Sequence, residues 1–146
     1  QWKRQLQQSL EQRKFDRRLR RPDDAAAMSA VERLYAEAMR DVAFQPDESL
    51  ARLNALVDAF SNPEPTDERP RKTLELARHQ IERLQPIVEA QRGADRMLAG
   101  ERMKWADEQR KEDPEAAAKV YRALETLYAN KPWAEDIVKQ ARERLR

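Results

Sequence analysis

The sequence predicts an all-α fold in which helical hairpins stack as a short solenoid behind a basic N-terminal helix. Three observations carry that expectation. The 146 residues are rich in Ala, Leu, Glu, Arg, Lys and Gln, with glycine only at Gly93 and Gly100, and those side chains lose little freedom in a helix. β-branched residues are scarce and nowhere alternate with polar ones over the length of a strand. A stretch also occurs twice: residues 46–62 read PDESLARLNALVDAFSN and residues 114–130 read PEAAAKVYRALETLYAN. Both open on proline and an acidic residue, pass through Ala-Leu (Ala55-Leu56, Ala123-Leu124), reach an aromatic at Phe60 or Tyr128 and close on Asn. A second amphipathic pattern follows each copy and ends in Arg-Leu, at Arg83-Leu84 and Arg144-Leu145. Self-similarity of this kind marks helical repeats, whose stacked units bury a core that one unit alone could not.

The elements follow in order. Residues 1–21 read as a helix without a continuous apolar face, because Trp2, Leu6 and Leu10 form one stripe while Phe15 and Leu19 form another, rotated around the axis. Such a helix can dock at one end and protrude at the other. Pro22 with Asp23 and Asp24 ends it and caps the next helix, since acidic side chains favour the positive helix N-terminus. Residues 25–44 then keep a helical period through Met28, Val31, Leu34, Tyr35, Ala38, Met39 and Val42. Pro46 suits the first turn of the third helix, where its missing N–H would go unpaired anyway. That helix sets Leu50, Leu53, Leu56, Val57 and Phe60 on one side, and residues 62–70, with three prolines, form the longest loop. A fourth helix starts near Pro70 and carries Leu74, Ala77, Ile81 and Leu84. An interior proline costs about 3 kcal/mol and an interior glycine about 1 kcal/mol relative to alanine. Pro86 therefore either kinks this helix or starts a new one carrying Ile87, Val88, Met97, Leu98 and Trp105; a break at Gln85-Pro86 is favoured, with a weak point near Gly93. Asp113-Pro114 opens the helix of Ala117, Val120, Tyr121, Leu124, Leu127 and Tyr128. Pro132 opens the last, with Trp133, Ile137, Ala141 and Leu145 at i+4 steps.

A chain of this length suits one domain that buries roughly two-thirds of its unfolded surface. The expected organisation is a basic helix or stalk over 1–22 and a helical domain over 23–146, with units at 25–85 and 86–146. Gln1 in place of Met, and a helical pattern running to Arg146, read as a piece of a longer protein or a processed product. A signal, a membrane anchor or a catalytic domain outside these residues stays open, so the compartment is left unassigned.

Net charge is +2, yet residues 1–21 carry Lys3, Arg4, Arg13, Lys14, Arg17, Arg18, Arg20 and Arg21 against Glu11 and Asp16. The sequence thus joins a basic arm to a mildly acidic body. These eight cations are the candidate contacts to an anionic partner, a membrane surface ahead of nucleic acid, because contacts to phosphates or headgroups need only charge. The plainer alternative is a charged helix that is solvated or paired within the chain.

With these residues laid out, the second half resembles a tetratricopeptide-type helical repeat. Ala117, Tyr121 and Leu124 show the 4-then-3 spacing of the small–aromatic–small positions in that family's second helix. Residues 118–145 are most similar, with Tyr121, Leu124 and Tyr128 followed by Pro132-Trp133-Ala134. Ser49, Leu53 and Leu56 occupy the matching places in the first half. The family's first-helix Trp–Leu–Gly signature is missing, and the interval of about 68 residues would hold two helix pairs or one enlarged unit. The resemblance implies a surface for peptides or partner proteins, lined by the first helix of each pair, roughly residues 28–44 and 97–111.

No catalytic centre is expected. Cysteine is absent, which excludes disulfides, thiol catalysis and zinc–thiolate sites. There is no Gly-rich phosphate loop, no Gly-x-Ser-x-Gly elbow and no His-Glu-x-x-His. His79, the one histidine, has Glu75 and Glu82 within a turn, a pattern more often a solvated charged face than a metal site. Trp105, Trp133 and the four methionines read as core. The function expected is non-enzymatic: a protein-interaction or scaffold module without cofactor or metal. The alternatives are a basic arm for membrane or nucleic acid on a helical spacer, or a sensor or regulatory domain of a larger enzyme.

Overall fold

The computed structural model describes residues 1–20 and 27–146. Among them the chain is all-helical: α1 (Trp2–Leu19), α2 (Ala30–Met39), α3 (Pro46–Phe60), α4 (Glu68–Gln109), α5 (Pro114–Tyr128), a 3-10 turn (Pro132–Ala134) and α6 (Glu135–Arg144). Two compact units divide it, Gln1–Val88 and Glu89–Arg146. The basic helix α1 is thereby grouped with the first unit, and α4 contributes its first half to one unit and its second half to the other. The Pro22-Asp23-Asp24 boundary and Arg21 lie outside the described residues.

The first unit is built on the hairpin of α2 and α3. Its core gathers Phe15 of α1, Met28, Val31, Tyr35 and Ala38 around α2, Leu50, Leu53 and Leu56 of α3, and Leu74, Leu76, Ala77, Leu84 and Val88 of α4. Tyr35 is fully buried and meets the Phe15 ring edge-on at 5.0 Å. Its hydroxyl donates to the Gln12 side-chain carbonyl, so the deepest aromatic also ties down α1. Burial pushes the Tyr35 hydroxyl pKa well above its usual value. It therefore stays a neutral donor.

The helix expected over 25–44 is shorter. It begins at Ala30 and ends at Met39, and residues 40–44 form a turn closed by Gln45 N–H to the Asp41 carbonyl at 2.8 Å. Its start is a capping box. The Glu32 N–H donates to the Ser29 hydroxyl while the Glu32 carboxylate accepts from the Ser29 N–H. That carboxylate is only 1% exposed and is also paired with Arg18 of α1 and with Arg69 of α4 at 3.6 Å. A buried carboxylate needs such partners, because its unpaired charge would cost several kcal/mol.

As expected, α4 starts near Pro70: it begins at Glu68, and Pro70 falls within its first turn, where a missing N–H breaks no intrahelical bond. The expected break is corrected, because Pro86 neither ends the helix nor starts one; α4 runs unbroken through Pro86 and Gly93. Leu84 and Val88 flank the proline, four residues apart on one face, and are 2% and 1% exposed. Burying two such side chains contributes roughly 3–6 kcal/mol, which offsets an interior-proline penalty of about 3 kcal/mol. Pro86 itself faces solvent.

The second unit pairs α5 with α6. Asp113 caps α5, its carboxylate accepting from the Ala116 N–H at 3.1 Å, and Pro114 holds the first turn as expected. Ala117, Tyr121 and Leu124 of α5 pack with Ala99, Met103 and Ala106 of α4 and with Ala134, Ile137 and Ala141. Tyr121 donates to Asp107, which Arg144 also grips through both Nε and an Nη, at 2.7 and 3.1 Å. Pro132 opens a 3-10 turn, and α6 proper begins at Glu135.

Candidate functional site

α2 and α3 leave an open groove between them, with a volume of about 460 Å³. The apolar period of each helix points its main face into the core, and the groove is built from the residues at the edge of that face. From α2 come Leu34, Glu37 and Ala38, and from α3 Arg52, Ala55, Leu56, Ala59 and Phe60. Of its lining, Ala38 and Leu56 are buried, while Ala55 and Ala59 are small exposed side chains that leave the channel shallow and open. Leu34 and Phe60 stand at its edges, 40% and 36% exposed. Glu37 and Arg52 supply one charge of each sign. The channel's lining includes no histidine, no serine or threonine and one carboxylate, Glu37.

Two other cavities differ in character. One of about 620 Å³ beside α6 is ringed by Lys131, Lys139, Arg142 and Arg146 against Glu135 and Glu143. Another of about 250 Å³ between α1 and α4 is lined mainly by charged residues, including Glu11, Lys14, Arg69 and Lys72. Mixed-sign, water-facing rims of this kind bring little desolvation gain to a ligand.

The eight cations named from the sequence divide among different roles. Lys3, Arg4, Arg13, Arg17 and Arg20 are exposed on α1 or at its end. Lys14 lies 3.4 Å from Glu11. Arg18 turns inward, paired with buried Glu32 and with its guanidinium 5.7 Å from the Phe15 ring centre, so it holds α1 to the first unit. Arg21 lies outside the described residues.

Several residues assigned to the core stand outside it. Met97, Leu98 and Trp105 are exposed on α4, and Arg102 lies over the Trp105 ring at 4.7 Å. Leu127 of α5 is 69% exposed. Met28 and Met103 are buried as expected. Glu75, His79 and Glu82 form no metal-ligating cluster, and no group of three candidate ligands does so among the described residues. No helix among those residues is long and apolar enough to cross a membrane. The apolar stripes expected for their helices include Leu34 and Phe60, whereas nothing in the sequence marks Arg52, Ala55 and Ala59 as groove residues. One wall of the groove comes from α2 and the other from α3.

Set against protein-family models, curated proteins and solved structures, the chain matches none of them.

Proposed function

We propose that the chain is a non-enzymatic interaction module whose α2–α3 groove takes the apolar face of a partner's amphipathic helix or peptide. The observation that carries this reading is the groove's composition: buried Ala38 and Leu56 with exposed Leu34, Ala55, Ala59 and Phe60 around them, an apolar lining open to solvent. Water is poorly accommodated on such a surface, and a helix presenting apolar side chains at i, i+3 or i+4, and i+7 would cover it. The opposite charges of Glu37 and Arg52 would set the direction and register of the guest more than its affinity.

The tetratricopeptide-like arrangement belongs to the same proposal. Its support is a matching register: Ser49, Leu53 and Leu56 in α3, and Ala117, Tyr121 and Leu124 in α5, are all buried. Each copy shares a core with a part of α4, the first with Leu74, Ala77 and Leu84 and the second with Ala99, Met103 and Ala106; the first also pairs with α2 before it and the second with α6 after it. The interaction reading rests on the groove and not on the repeat.

The test is selection of amphipathic peptides from a random library on the whole chain, followed by affinity measurement on variants. The groove reading expects enriched peptides with apolar residues at helical spacing, weakened about tenfold or more by Ala59→Glu and unaffected by Arg13→Glu with Arg17→Glu. An enriched set that ignores Ala59→Glu and fails with the α1 changes would show that charge on the arm does the recognising.

A further inference from the structure

α1 carries two stripes on nearly opposite sides. A helix of 3.6 residues per turn places Gln8, Gln12, Phe15 and Leu19 along one side. That side faces the first unit, with Phe15 in the core and Gln12 bonded to Tyr35. The opposite stripe runs Trp2, Leu6, Leu10, Arg13, Arg17 at steps of four, four, three and four. Its apolar members are 68%, 51% and 47% exposed, and both arginines are exposed too. Lys3 and Lys14 flank it. Exposed Asp16 borders it on the side away from the lysines and accepts from Gln12 at 2.9 Å, while Glu11 is three-quarters covered and pairs with Lys14. The side that docks thus fixes the direction of a second face that is apolar in its first half and cationic in its second.

We infer that this outward face of α1 lies on an anionic lipid bilayer surface, with Trp2, Leu6 and Leu10 in the headgroup–acyl boundary and Arg13 and Arg17 on the lipid phosphates and carboxylates. The pairing of the two halves selects this occupant. A duplex would engage the arginines and leave three large apolar side chains in water, with no aromatic platform for bases. A bilayer interface takes both at once, and the long arginine stems let the charge stay at the wet level while the helix lies flat. Headgroup charge is the recognised chemistry, so the binding needs no specific lipid. The inference stands independently of the groove.

The experiment is flotation of the whole chain with vesicles of phosphatidylcholine alone or mixed with phosphatidylserine, and with a duplex DNA shift as a parallel arm. Comparison is with Leu6→Glu, with the pair Arg13→Glu and Arg17→Glu, and with Ala59→Glu as a control. All the altered positions are exposed, and circular dichroism verifies that helix content is unchanged. The inference expects partition onto phosphatidylserine vesicles that falls about tenfold or more on pure phosphatidylcholine. It expects a similar loss for Leu6→Glu and for the arginine pair, and none for Ala59→Glu. Partition indifferent to Leu6→Glu, absence of partition, or a DNA shift that is stronger than vesicle binding and ignores Leu6 overturns it.

Discussion

Arg96 illustrates how single residues hold the second unit. Its guanidinium reaches both Asp136 oxygens, at 2.9 and 2.6 Å, and the Trp133 carbonyl at 2.9 Å, so one side chain of α4 fixes the 3-10 turn and the start of α6. The bonded guanidinium holds the Asp136 carboxyl well down, to about 2 from an ordinary 3.8. A folded-state pKa below the unfolded one contributes stability that is full above the unfolded value and is lost as pH falls through the folded one. The second unit is therefore expected to lose stability between about pH 4 and pH 2, a loss that Asp136→Asn removes. The pair is half-exposed, so solvent screening keeps the effect small. Acid titration of unfolding midpoints for the two proteins measures it, and identical acid slopes would show the pair to be idle. Glu32 is the counterpart in the first unit, where a single buried carboxylate serves a capping box and two arginines. The Ser29-x-x-Glu32 spacing is readable in the sequence as a capping box.

At the scale of elements, α4 shows where local signals lose to burial. Pro86 argued for a break, and in an isolated peptide it would make one. In the folded chain Leu84 and Val88 are driven into the same core from either side of it, and the helix continues. Because Pro86 is exposed, Pro86→Ala is expected to raise stability, by up to about 3 kcal/mol in the limit of the full interior penalty. Gly93→Ala adds about 1 kcal/mol, since a Cβ there meets nothing within 4 Å. Denaturant midpoints of the two single variants and the double test this, and a destabilised Pro86→Ala would mean the proline has a packing role. The helices themselves were legible wherever a proline or an Asp-Pro stands at the start of a clean apolar period, as at Pro46 and Asp113-Pro114. Less was legible where the period only marks an edge. Met97, Leu98 and Trp105 continue an apolar count along α4, but the side of that helix they occupy is not the one carrying Ala99, Met103 and Ala106 into the core. A one-residue offset turns the helix by more than a quarter-circle, so hydrophobicity alone did not separate the buried arc from its neighbour.

At the scale of the whole molecule, the described residues form two cores, a groove between α2 and α3, and a helix α1 with two distinct faces. The basic arm was visible in the sequence as charge; that Arg18 turns inward while Arg13 and Arg17 turn outward depended on where Phe15 and Glu32 sit in three dimensions. The groove was less visible still, because it needs α2 and α3 side by side, and alanine at Ala55 and Ala59 reads in sequence only as helix-forming. The proposal that this groove is the binding surface is checked by mapping backbone amide shifts of the whole chain as a selected amphipathic peptide is titrated in. The perturbed amides are expected to cluster at Leu34, Ala38, Ala55, Ala59 and Phe60, and the shifts to vanish in Ala59→Glu. Perturbations centred on α1 or on the α4 stretch of Met97, Leu98 and Trp105, with the groove amides unmoved, would contradict it.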